Sequence, residues 1–179
     1  PDREQPTAAG EATDRGALVA SLAVQIPAEL APTELAPLAL AVDLGTTSVY
    51  WRAVRLPHTG EKSAPEIMQQ GRYLNPQAGA GADIMSRLAV AQHAQGRAVL
   101  ARLARQSLRR VMDGLEHSGV GRVERLCVAA NTAMTEIFLD RPVEGLCAAP
   151  YRLGHQGHEW AEVPGFPPVY IPPLPAPFA

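Results

Sequence analysis

Ala39-Leu40-Ala41-Val42-Asp43-Leu44-Gly45-Thr46-Thr47-Ser48-Val49-Tyr50-Trp51-Arg52-Ala53-Val54 reads as strand, hydroxyl-rich turn, strand. Leu38 to Val42 is a short apolar run of the kind that forms a strand buried on both faces. Gly45 lets the backbone bend where a side chain would obstruct it. From Ser48 to Val54 the residues are again β-branched, aromatic or small, which favours a second strand. Between the strands sit the carboxylate of Asp43 and the consecutive hydroxyls of Thr46, Thr47 and Ser48. Backbone N–H groups of such a turn can form an anion-binding concavity. The threonines add hydroxyl donors, and Asp43 can hold a magnesium ion through its water shell. The same residues also suit a plain hairpin whose hydroxyls satisfy local backbone groups.

The chain has 179 residues, 46% hydrophobic, with a formal net charge of -2. That length suits one domain with an adequate core. The near-neutral balance argues against a dedicated nucleic-acid or membrane-surface binder. No apolar run approaches membrane-spanning length, and no charged-then-apolar signal pattern opens the chain. Cys127 and Cys147 are two and far apart, too few for an iron–sulfur or zinc set from cysteines alone. Buried reduced thiols in a cytoplasmic protein are expected, a disulfide between them being possible but unnecessary. The first residue is Pro1 rather than Met, as in a chain processed or cut from something longer.

Residues 1–37 are rich in Ala, Pro and Glu and read as a linker from an upstream region, with a short element possible from Asp14 to Val24. After the hairpin, Pro57 to Glu61 is a turn and Ile67 to Leu74 a third antiparallel strand, completing a meander. Asp83 is placed to cap a helix from Ile84 to about His93 and to pair with Arg87 on its surface. A break near Gly96 leads into a second helix reaching Ser118. Its Leu100, Leu103, Leu108, Val111 and Leu115 follow helical spacing and should face the sheet. Arg102, Arg105 and Arg109 form a solvated stripe, or alternatively a dock for an acidic partner. Gly119-Val120-Gly121 stops the helix, and Val123 to Ala130 is a strand made parallel to the meander by the helical crossover. Asn131-Thr132 then opens a helix to Leu139, where ligands of such sheets bind. Asn131 or Thr132 could face the Thr46-Thr47 turn or simply cap the helix. Gly145 to Gly165 reads as irregular. Within it, His155, His158 and Glu159 match no metal-binding order and are expected in an exposed loop. Val169 to Ile171 is a last brief strand. Strands in a meander, then helices, then strand describe an α/β (α+β layered) arrangement.

Asp-x-Gly-Thr-Thr at the head of a hairpin resembles the first phosphate loop of the actin, Hsp70 and sugar-kinase ATPase superfamily. Within it, the chain resembles the reductive activators of corrinoid proteins. The likeness rests on Ala41 to Val49, Asn75-Pro76-Gln77, Gly81 to Arg87, Asn131-Thr132-Ala133-Met134, Val143 to Leu146 with Ala149-Pro150-Tyr151, and Tyr170 to Leu174. This resemblance implies the first half of an actin-like, ribonuclease H-like ATPase over residues 38–179, a three-stranded antiparallel meander extended by parallel strands with packed helices. It implies ATP and magnesium as ligands, Asp43 near the metal, and Gly45, Thr46, Thr47 and Ser48 at the phosphates. Asn131 and Thr132 would lie across the cleft, near the terminal phosphate. It implies a corrinoid protein as partner, whose Co(II) is reduced to Co(I) by an electron from an upstream ferredoxin-type domain or a separate donor, this chain holding no cluster of its own. The second phosphate loop and adenosine-binding domain of such activators would lie beyond Ala179. A sugar or acyl kinase of the same superfamily is an alternative, with Asp83 the one candidate base. A non-catalytic module docking through its arginine face or the Gly145 to Gly165 loop is another. Gly79-Ala80-Gly81 lacks the third glycine of a dinucleotide fingerprint.

Overall fold

The computed structural model describes residues 35–57 and 64–174, within the compact unit Pro32–Ala179. The expected linker, with its Asp14 to Val24 element, and most of the Pro57 to Glu61 turn lie outside the described residues. Six strands and three helices follow: β1 (Pro37–Leu44), β2 (Ser48–Arg55), β3 (Ile67–Leu74), α1 (Ile84–Ala91), α2 (Ala94–His117), β4 (Arg122–Ala129), α3 (Thr132–Leu139), β5 (Glu159–Ala161) and β6 (Val169–Ile171). Among the described residues, 3-10 turns at Pro76–Ala80 and Glu144–Leu146 accompany them. The strands form one mixed sheet in the order β3-β2-β1-β4-β6-β5. The meander β1-β2-β3 is antiparallel, β4 runs parallel to β1, β6 parallel to β4, and β5 antiparallel to β6. This is the α/β layer arrangement expected from the pattern of elements.

All three helices lie to one side of the sheet. Leu38, Leu40, Val42 and Leu44 of β1 pack with Ala104, Leu108 and Leu115 of α2 and with Met134 and Phe138 of α3. A second cluster of Leu88, Ala91, Leu100, Ala133, Ile137 and Val143 binds α1 to α2 and α3. Hence β1 is buried on one face only: Ala41 and Asp43 are exposed, alternating with the buried leucines and valine. An unbroken apolar run conceals this alternation, because alanine is as apolar as leucine yet needs no cover.

One helix boundary differs for a steric reason. The break between the helices falls at Gln92-His93, and Gly96 lies in the first turn of α2. A Cβ at Gly96 would strike the Val90 carbonyl oxygen, so glycine there allows α2 to pass close over the end of α1. Leu103 is only half-buried, and the small Ala101 and Ala104 occupy the helix face against the core instead. The segment expected to be irregular contains β5, too short to announce itself, paired with β6 through Trp160 and Tyr170.

Phe138 is fully buried, edge-on to Phe166 at 6.5 Å between centroids and beneath the Arg105 guanidinium at 5.8 Å. Phe138→Ala is expected to lower unfolding free energy by about 3–5 kcal/mol, with Phe138→Leu costing under about 1.5 kcal/mol. Urea titration followed by far-UV circular dichroism measures both.

Candidate functional site

The β1–β2 turn is shaped by steric need and held by one buried amide. A Cβ at Gly45 would sit 2.5 Å from the Ser48 carbonyl oxygen, so only glycine allows the turn to close this tightly. Asn75, at 1% exposure, donates from Nδ2 to the Gly45 carbonyl at 2.8 Å. Its backbone N–H donates to the Thr47 carbonyl, also at 2.8 Å. The Gly45 and Thr47 carbonyls are thereby engaged on the protein side. Among the described residues, no backbone carbonyl accepts from the N–H of Thr46 or Thr47. Those are the donors an anion would use.

Parallel pairing of β1 with β4 sets Asp43 beside Ala129, so the loops leaving the two strands emerge side by side. From the β4 end, Asn131 starts α3. Its Oδ1 accepts from the Met134 N–H at 2.9 Å, and its Nδ2 lies 3.5 Å from Thr46 Oγ1. Capping and facing the turn therefore do not exclude each other; the carboxamide has two ends and uses both. Thr46 and Asn131 are brought together across 85 residues of sequence. Thr132 is the half-buried first residue of α3, Thr47 is exposed, and Ser48 opens β2 half-buried. Asp43 is exposed on the helix-free face of the sheet, in register with Tyr50. Among the described residues, no group of three or more His, Cys, Asp or Glu side chains could hold a metal ion.

Behind the turn lies a polar network that the sequence did not reveal. Arg87 is fully buried, not paired with Asp83 on the helix surface. Asp83 instead accepts from the Met85 and Ser86 N–H groups at 2.8 and 3.0 Å and from the Ser86 hydroxyl. These bonds, led by those from Ser86, hold the Asp83 carboxyl below its usual range. Arg87 donates from Nε to the Gly81 carbonyl at 2.8 Å, and from Nη1 towards Gln77 Oε1 and Met134 Sδ, each at 3.4 Å. Burial pulls its pKa down from the ordinary guanidinium range, against the attraction of Asp83. Gln77, also fully buried, donates to the Leu100 carbonyl, and its N–H donates to Asn75 Oδ1. The one signal for Asn75, Gln77 and Arg87 was their place in the motifs carrying the family likeness; periodicity put Arg87 outside.

The remaining candidates serve elsewhere. Arg105 donates to the Phe138 carbonyl at 2.9 Å and Arg109 covers the Phe166 ring at 5.1 Å, so two of the three arginines of the expected stripe pack onto the core, while Arg102 is exposed. Nor is His155 in an exposed loop. Its Nε2 lies 3.4 Å from Glu136 Oε1, and its Nδ1 lies 3.2 Å from Glu159 Oε1, which also accepts from Arg141 at 2.7 Å. His158 points elsewhere, 2.8 Å from the Tyr170 hydroxyl. Burial raises the pKa of Glu136, opposed by His155 and Arg141 and reinforced by Glu159. Cys127 and Cys147 are free thiols, both half-buried.

A family model described as the RACo middle region matches residues 38–162. The chain belongs to this family. Among solved structures, the RACo middle region found here is similar to a protein described as a reductive activator for corrinoid, iron–sulfur protein. The two share 25% identity and a TM-score of 0.65, over 78% of this chain and 23% of that one. The chain thus spans under a quarter of that activator's length. The fold is that of an actin-like ATPase half. The Ppx/GppA phosphatase of Aquifex aeolicus is matched at 11% identity and a TM-score of 0.28, over 57% of this chain and 30% of that one, a likeness too slight to bear on the fold. No curated protein matches the chain.

Asn75→Ala leaves the Gly45 carbonyl without its buried donor and is expected to cost about 1–3 kcal/mol of stability, read by denaturant unfolding. A carboxyl whose folded pKa exceeds its unfolded one favours the fold while protonated; that contribution is complete below the unfolded value and lost as pH rises through the folded one. Around Glu136, faced by His155, Arg141 and Glu159, stability should therefore fall as pH climbs above the ordinary glutamate range. Glu136→Gln should remove that part of the pH dependence in thermal melts from acid to neutral pH.

Proposed function

We propose that residues 38–179 supply the first half of the ATP site of an ATP-dependent reductive activator of a corrinoid protein, with residues 1–37 tethering it to an upstream region. The observation that carries this reading is the approach of Asn131 Nδ2 to Thr46 Oγ1. It sets the hydroxyl-rich turn against a helix entrance at the carboxyl ends of two parallel strands, where phosphates bind in such sheets. The turn fits the group: its Gly45 and Thr47 carbonyls are tied back by Asn75, and the Thr46 and Thr47 N–H groups lack backbone acceptors among the described residues. In this reading, Gly45 gives the phosphates close approach, and Thr46, Thr47 and Ser48 donate to them. Asn131 and Thr132 face the terminal phosphate from α3. Asp43, in no group of three or more His, Cys, Asp or Glu side chains able to hold a metal among the described residues, holds magnesium through water, the nucleotide completing its shell.

ATP, when bound, supplies the free energy that an uphill one-electron reduction of Co(II) to Co(I) needs. The electron comes from a ferredoxin-type domain or a separate donor. This half of the site contributes by contacting nucleotide differently in its two states, the one way a ligand can bias a partner complex. The kinase alternative loses support because Asp83, its one candidate base, is engaged in capping α1.

Calorimetric titration of the full chain with Mg·ATP tests the site. Thr46→Ala and Asn131→Ala are each expected to weaken binding about ten- to a hundredfold, as for lost hydrogen bonds to a charged group. Asp43→Ala should abolish ATP-stimulated formation of Co(I), followed by its absorbance with a corrinoid protein and a chemical reductant, while circular dichroism stays unchanged. Undiminished stimulation rejects the role of Asp43.

A further inference from the structure

A buried guanidinium is a costly way to fill space between two helices, and an apolar side chain of equal volume would do so without desolvating a charge. Arg87 stands at such a place, fully buried, and its contacts lead in two directions. Through Nη1 it reaches Gln77, whose N–H donates to Asn75, whose Nδ2 holds the Gly45 carbonyl of the turn. Through the same nitrogen it reaches the sulfur of Met134, whose N–H is capped by Asn131, whose Nδ2 approaches Thr46 of the same turn. The contacts close a ring with Arg87 opposite the turn. One side comes from the segment between β3 and α1, the other from the start of α3. Arg87 Nε is fixed on the Gly81 carbonyl, and a Cβ at Gly81 would crowd Arg87 at 2.9 Å, so glycine there leaves the room the side chain occupies.

We propose that Arg87 is a positioning residue, setting the distance between the Thr46 turn and the Asn131 helix entrance by holding both supports on Nη1 of a rigid, planar fork whose Nε is anchored on Gly81. The consequence for nucleotide rests on the ATP-site reading above; the positioning itself does not. Lysine cannot reproduce the fork, since its single ammonium has no fixed plane. Methionine keeps the volume but carries no donor, so a side chain that merely packs would be replaced by it without effect.

The test uses Arg87→Met in the full chain, with Arg87→Lys as the second variant should the first not fold. Amide hydrogen exchange reports on two ring bonds, the Gln77 N–H to Asn75 and the Met134 N–H to Asn131. Both amides are expected to exchange about tenfold faster or more in the variant, while those of the β1–β4 ladder keep their protection, as for a local opening. In Mg·ATP titrations the variant should bind about ten- to a hundredfold more weakly, in line with small displacements of positioned groups. Asn131→Ala added to it should cost less than it does alone, the non-additivity of two groups acting through one contact. Unchanged protection at Gln77 and Met134, or additive losses, overturns the proposal. If the parent chain binds no ATP, the ATP-site reading fails, and the exchange result alone then upholds or overturns the positioning.

Discussion

The parallel pairing of β1 with β4 is the constraint on which the candidate site depends. Two parallel strands side by side must release their carboxyl ends at the same edge of the sheet, and everything distinctive lies beyond that edge. The hairpin turn follows one strand and α3 follows the other. The pairing itself is enforced by the apolar core beneath it: Leu38, Leu40, Val42 and Leu44 of β1 with Val123, Leu126 and Val128 of β4, all turned to the helix layer. A one-residue slip would present Ala41 and Asp43 to that layer, so the register that buries the leucines also sets where Thr46 meets Asn131.

Apolar packing locates the turn, and buried polar groups shape it. Asn75, Gln77 and Arg87 lie in a small domain where a hydrophobic filling would be more economical. Asn75 and Gln77 are satisfied by backbone or side-chain groups that no apolar residue could hold in place, and Arg87 through Nε and Nη1, its buried Nη2 having no hydrogen-bond partner among the described residues. Hydrogen-bond directionality adds what packing lacks, an orientation for the carbonyls of Gly45 and Thr47 and for the Asn131 carboxamide.

The fold was legible where residues are long, periodic or conformationally special. The meander, the crossover helices, the parallel fourth strand and the brief β6 follow from apolar alternation, helical spacing and glycine stops, and the Thr46 and Asn131 pairing follows from strand polarity. What escaped was burial that composition hides. Ala41 and Asp43 lie on an uncovered face, which no run of apolar residues announces. Arg87 at helical spacing from Asp83 resembles half of a surface pair, and only the tertiary placement of Gln77 and Met134 draws it inside. Arg105 and Arg109 fit a solvated stripe until Phe138 and Phe166 arrive beneath them. His155 is drawn in by Glu136 and Glu159, one of them distant in sequence.

Asp140 ends α3 in the left-handed conformation, at φ 57°, which a residue with a side chain adopts at some cost. It meets Arg97 at 3.2 Å, while Arg105 holds the Phe138 carbonyl two residues earlier. With Asn131 gripping the other end, this eight-residue helix is clamped at both termini like a short beam between walls. Displacing Asn131 along the helix axis would break these contacts with α2 as well as the approach to Thr46, so the two ends of α3 hold one another in place.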